Sequence, residues 1–156
     1  MAVTYTNNIK THISDPLDAL LFTEFSPVDV ALEPAFQASR VSTRGEYIRY
    51  YFLGSEEESK HSDGEFRNYD IEIVYYFDTR VFRTGKAFDD VYSDRSERLK
   101  ALLEQNRAYS SSGTYRWHNL TMSIDPIQTV EDLEDIEGEL TMAQRFQVTI
   151  TRSNFW

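Results

Sequence analysis

One stretch limits what this chain can become more than any other. From Tyr69 to Phe77 it reads Tyr-Asp-Ile-Glu-Ile-Val-Tyr-Tyr-Phe, so Tyr69, Ile71, Ile73, Tyr75 and Phe77 occupy every second position. A period of two puts those five side chains on one face of a β-strand. The other face, Asp70, Glu72, Val74 and Tyr76, begins acidic and ends aromatic. A strand with one face apolar from end to end needs strand neighbours and a layer to cover it.

The neighbours are legible as further alternations. From Glu46, Ile48, Tyr50 and Phe52 share one face and Tyr47, Arg49 and Tyr51 the other, until Gly54. Residues 55–66, which include Glu56, Glu57 and Glu58, are polar and read as a hairpin loop. A third strand begins at Tyr115, carries Leu120, Met122 and Ile124 on one face, and ends at Asp125-Pro126. A fourth, over 142–152, sets Phe146, Val148 and Ile150 against Gln147, Thr149 and Thr151.

The covering layer is helical. Ser14-Asp15-Pro16 has the marks of a helix start, and Leu17, Leu20, Leu21 and Phe25 follow at helical spacing, which predicts a helix over 16–25. A second helix is expected over 87–108, with Phe88, Val91, Tyr92, Leu99, Leu102 and Leu103 on one stripe. Its acidic residues fall early and Lys100 and Arg107 late, as the helix dipole favours. Residues 1–13 read as an extended or flexible tail. Residues 27–44 read as an irregular connection holding at most a short edge strand around Val28, Val30 and Leu32. The resulting order, α-β-β-α-β-β, is two β-hairpins linked by a helix. It predicts an α+β fold with a mixed or antiparallel sheet and helices on one face. No Pro/Gly/Ser-rich linker divides the 156 residues, so a single domain over 1–156 is expected.

Composition narrows the function classes. With no cysteine, neither a disulfide framework nor a thiolate metal site is available. No run of about 18 apolar residues predicts a membrane-spanning helix, and Met1–Lys10 lacks the apolar core of a signal peptide. The six glycines form no phosphate loop, and no serine lies in a nucleophile elbow. Of His12, His61 and His118, none has a second histidine at metal-ligand spacing. No catalytic residue, metal site or cofactor is therefore expected.

What remains is acidic and aromatic. Asp and Glu number 26 against 16 Lys and Arg, a formal net charge of −10, which disfavours tight phosphate binding but suits a passage that DNA slides through without being gripped. The run containing Glu131, Asp132, Glu134 and Asp135 lacks calcium-loop spacing and reads as a solvated acidic loop or a contact surface for a basic partner, as do Glu56–Glu58. Ten Tyr, ten Phe and two Trp fit either a β-rich core or an interface. Tyr47 and Tyr51 are the candidates for an exposed aromatic pair, and Phe155-Trp156 for a terminal anchor. This pattern points to an assembly module. A small ligand- or peptide-binding domain using an aromatic sheet face is the alternative of a different class. An enzyme using His118 with a nearby carboxylate ranks last.

The succession also resembles the tail-terminator and tail-completion proteins of tailed bacteriophages over about residues 14–152. The resemblance is carried by the helix Pro16–Phe25, the strand Tyr47–Leu53, the polar hairpin and the strand Tyr69–Phe77. It continues through the helix containing Arg98-Leu99-Lys100-Ala101-Leu102-Leu103, the segment Tyr115–Leu120, an acidic excursion and the closing strand Arg145–Ile150. Residues 27–44 depart from it. The resemblance implies a cyclic homo-oligomer, usually a hexamer, in the virion neck. Such a ring is assembled in the host cytoplasm, caps the head-proximal end of the tail tube and joins it to the head connector. Its partners would be further copies of itself, the tube protein and a connector or stopper, with DNA passing through transiently. A connector, stopper or baseplate role is the alternative within assembly.

Overall fold

The computed structural model describes residues 2–35, 45–78, 89–130 and 141–155. The strand that dominates the sequence is the centre of the sheet. β3 (Gly64–Asp78) pairs antiparallel with β2 (Glu46–His61) on one side and with β8 (Thr141–Phe155) on the other. The β3–β8 pairing runs unbroken from Gly64 opposite Phe155 to Asp78 opposite Thr141, about 50 Å at the rise of a β-strand. β6 (Asn119–Ile124) and the short β7 (Gln128–Thr129) pair with the far side of β8. β1 (Ala31–Leu32) lies parallel to β2 at Tyr47 and Ile48, which makes the sheet mixed, in the order β1-β2-β3-β8-β6. β4 (Tyr109–Ser111) and β5 (Thr114–Trp117) form a separate small hairpin. Its two turn residues, Ser112 (φ 53°) and Gly113 (φ 74°), have the positive φ pair of a tight two-residue connection.

Both helices cover the same face, as expected for this α+β domain. Ile13, Leu17, Leu21 and Phe25 from the first helix and Leu99 and Leu103 from α2 (Asp94–Gln105) pack on Ile71, Ile73, Tyr75, Phe146, Val148 and Ile150. Each such side chain contributes about 1.5–3 kcal/mol by leaving water. A buried polar triad fixes α2 to the sheet. The Tyr75 hydroxyl donates to Glu46 Oε1 at 2.6 Å, and Arg95 Nε donates to the same oxygen at 3.0 Å. Burial, and then the Glu46 charge, push the Tyr75 phenol far above its ordinary pKa.

Three expectations are corrected. The polar stretch 55–66 is strand, and the turn is only Ser62-Asp63. Pairing with β3 supplies its backbone hydrogen bonds, so its side chains are free to be polar at the solvated edge. The tail assigned to 1–13 is helical at its end. Ile9–Ser14 form a π-helical turn running into α1 (Asp15–Phe25), and Ser14 has helical dihedrals with no side-chain cap. The reason is Ile13, which extends the Leu17–Leu21–Phe25 stripe by one turn. The third strand divides at His118, its first part pairing with β4 and its second joining the sheet. The short edge strand expected in 27–44 is present as β1, while residues 36–44 lie outside the described residues.

Candidate assembly surface

The pleat that sends Ile71 and Ile73 to the helices sends Asn68, Asp70 and Glu72 to the open face. Their partners on β8 are Thr151, Thr149 and Gln147, and each row is closed by a hydrogen bond. Thr151 Oγ1 donates to Asn68 Oδ1 at 2.5 Å, Thr149 Oγ1 to Asp70 Oδ1 at 2.9 Å, and Gln147 Nε2 to Glu72 Oε2 at 2.8 Å. β6 extends the rows with Asn119, Thr121 and Ser123. Arg145, with Nε 3.6 Å from Glu72 Oε1, is the cation beside these rows. The surface is polar and acidic, and its own cross-strand hydrogen bonds tie the rows together.

At the β1 end the same face closes over a second cluster. Tyr47 is fully buried and stacks on Tyr76, with ring centroids 4.8 Å apart and planes within 11°. The Arg49 guanidinium lies 5.2 Å from the Tyr47 ring centre, and its Nη2 reaches Glu33 Oε2 at 3.1 Å. Tyr51 is half-buried, its hydroxyl 3.0 Å from that of Tyr76. The expectation of an exposed Tyr47/Tyr51 pair is therefore wrong. Tyr47 is core on the less covered side of the sheet, and Tyr51 is tied to that core.

At the opposite end the open face becomes aromatic. His61 meets Phe66 and Phe155 edge-on, with centroids 5.5 and 5.7 Å away, and His118 lies 6.3 Å from Phe66 and 5.2 Å from Tyr115. Phe155 is 73% exposed and Tyr115 60%. Phe155 is thus the last paired residue of β8 and presents its ring outward; Trp156 lies outside the described residues. Behind this tip, buried Arg152 donates from Nε to Asn154 Oδ1 and from Nη1 to the Arg116 carbonyl, each at 2.5 Å. Arg116 in turn reaches His12 Nδ1 at 3.4 Å. Burial, then the charges of Arg152 and Arg116, lower the His12 pKa to about 4.

The two lateral edges differ. Among the described residues, β2 has no outer partner beyond Ile48. Its Ser55–Lys60 run is exposed throughout and carries Glu56, Glu57 and Glu58. Leu53 and Glu58 are extra residues that bulge this edge. On the far side β6 also has an open outer edge among the described residues. Beside it runs a groove of about 370 Å³, with Lys100 and Glu104 of α2 and Arg107 just after it on one wall and Leu120, Met122 and Ile124 on the other.

Among the described residues, no group of three or more metal-ligating side chains comes together. His118 is exposed, has Phe66 and Tyr115 as ring neighbours, and uses its backbone N–H on the Thr151 carbonyl at 2.9 Å. Glu131, Asp132, Glu134 and Asp135 lie outside the described residues. Sequence reasoning placed Glu56–Glu58 on the surface correctly but missed the groove and the aromatic tip. The tip carried a usable signal, since Phe66 continues the Asn68–Asp70–Glu72 face as an aromatic residue. Compared with known proteins, the chain matches no family model and no curated sequence.

Proposed function

We propose that this chain is a non-enzymatic structural subunit of a phage virion neck. As a tail terminator, it closes with copies of itself into a ring, caps the head-proximal end of the tail tube and joins it to the head connector. The observation that best supports this reading is the pair of unlike sheet edges that are open among the described residues, acidic β2 on one side and β6 with its cation-bearing groove on the other. A patch that meets a different patch on the next copy gives head-to-tail association, which becomes a ring when the rotation between copies closes. The cation-poor open face fits the wall of a channel that DNA slides along, because gripping phosphates requires Lys and Arg. The exposed aromatics at the tip fit contact with a tube or connector protein, as aromatic side chains are enriched in interface cores.

The test is tube growth. The purified protein, added to polymerising tail-tube protein, is expected to bind tube ends and arrest elongation. Tubes of unrestricted length at saturating protein overturn the terminator role. A connector, stopper or baseplate subunit would keep the ring and leave tube length unchanged, and its position in the particle separates those roles. The groove beside β6 also favours a second reading, a monomer that takes an extended peptide by strand addition. A stable monomer that protects its β6 amides only when such a peptide is added would support it.

A further inference from the structure

We infer that the exposed run of β2, Gly54–Lys60, lies antiparallel along β6 of the next copy and carries one sheet across the subunit boundary. Glu57 then faces Lys100 of the neighbour's α2 and Arg107 just beyond that helix. This rests on the ring reading above and names the surfaces that make it.

Strand direction comes first. β2, β3, β8 and β6 alternate in direction at every step, so β6 runs opposite to β2. Adding the next copy's β2 outside β6, with the helices kept on the same side, continues that alternation. Side-chain parity comes second. Ser55 pairs with Tyr69 and Glu57 with Arg67, and Tyr69 points to the helix-covered face, so Glu57 is directed to the side on which α2 stands. Glu56 pairs with Asn68 and faces the open side, where β6 offers Asn119 and Thr121.

Charge is the third point. The protein is strongly acidic, yet two of the three charged residues lining the groove, Lys100 and Arg107, are cations. Among the described residues, neither pairs with a carboxylate. Glu57 is exposed, with Lys60 at 3.8 Å and Arg67, itself bonded to Glu65, opposite it on β3, so its carboxylate is held by no short ion pair among the described residues. Charges on a sheet edge ordinarily keep it from pairing with whatever strand it meets. Set opposite a complementary groove, the same charges admit one partner and repel another β2 edge.

Two paired substitutions test this. Lys100→Glu/Arg107→Glu reverses the groove, and Glu56→Lys/Glu57→Lys reverses the edge. Each variant alone is expected to need about tenfold or more protein to assemble, since like charges then meet at every boundary. Mixed in equal amounts, the two should recover assembly. The reversed edge meets the reversed groove at alternate boundaries, and unaltered surfaces meet at the others. Far-UV circular dichroism checks that both variants fold, and slowed exchange of the β6 amides on assembly gives an independent readout. If both variants assemble like the unaltered protein, or the mixture does not recover, the β2–β6 contact is wrong while the ring stands. If the unaltered protein never assembles, the ring reading itself fails.

Discussion

Glu33 and Arg49 form an ion pair at 3.1 Å in which both side chains are at least 95% buried. Glu33 follows β1, and its backbone N–H donates to the Ile48 carbonyl at 2.9 Å, so the pair closes the only covered part of the outer β2 edge among the described residues. Removing one partner of a buried pair leaves the other without its countercharge. Glu33→Gln is expected to lower stability by about 3 kcal/mol, measured by urea denaturation. Replacing both residues, Glu33→Leu with Arg49→Met, should recover most of that loss. A double variant as unstable as the single one would contradict this.

Gly64 sits where β3 begins, opposite Phe155, and a Cβ there would stand 1.8 Å from the Asn154 carbonyl oxygen. Backbone cannot give way cheaply at that distance. Gly64→Ala is expected to cost about 1–3 kcal/mol, as overpacking does. It should also speed hydrogen exchange at Asn154 and Phe155 ahead of the rest of β8.

How much of this was legible follows from what periodicity reports. Tyr69–Phe77 and the Leu17–Leu21–Phe25 stripe announced themselves because burial on one side imposes a period on the sequence. Residues 55–61 did not, because a strand solvated at the sheet edge imposes none; its conformation comes from β3. The helical turn before Asp15 was hidden by Ser14-Asp15-Pro16, whose start signals were outweighed by the burial of Ile13. The burial of Tyr47 is illegible for a different reason. Alternation tells which face a residue occupies and is silent on what covers that face, here Tyr76, Ala31 and Val130. The groove joins α2 to β6, and no local pattern encodes a distance between them.

Trp117 is completely buried, and its Nε1 donates to the Asn106 carbonyl at 2.7 Å, tying the β4–β5 hairpin to the end of α2. Trp117→Phe removes that donor and part of the ring. A loss of about 1–3 kcal/mol is expected in denaturant titration, together with loss of the blue-shifted, buried component of tryptophan fluorescence.

His12 gives the stability a specific pH dependence. Its folded-state pKa, lowered to about 4, lies below its ordinary 6.5, so the unfolded chain binds the proton more readily. The neutral ring favours the folded state at high pH, and stability should fall as the pH drops from about 6.5 towards 4. His12→Gln should flatten the upper part of that window, pH 6.5 to 5, where carboxylates remain largely ionised. Urea midpoints for both proteins across this range check it; parallel curves would contradict the assignment.

The proposed ring of copies is put to the test by native mass spectrometry, with electron microscopy of the same sample. A single cyclic species is predicted, six copies of the 18.3 kDa chain or about 110 kDa, seen as rings with a central opening. An 18.3 kDa monomer that persists across all accessible concentrations, with no rings in the micrographs, would contradict it.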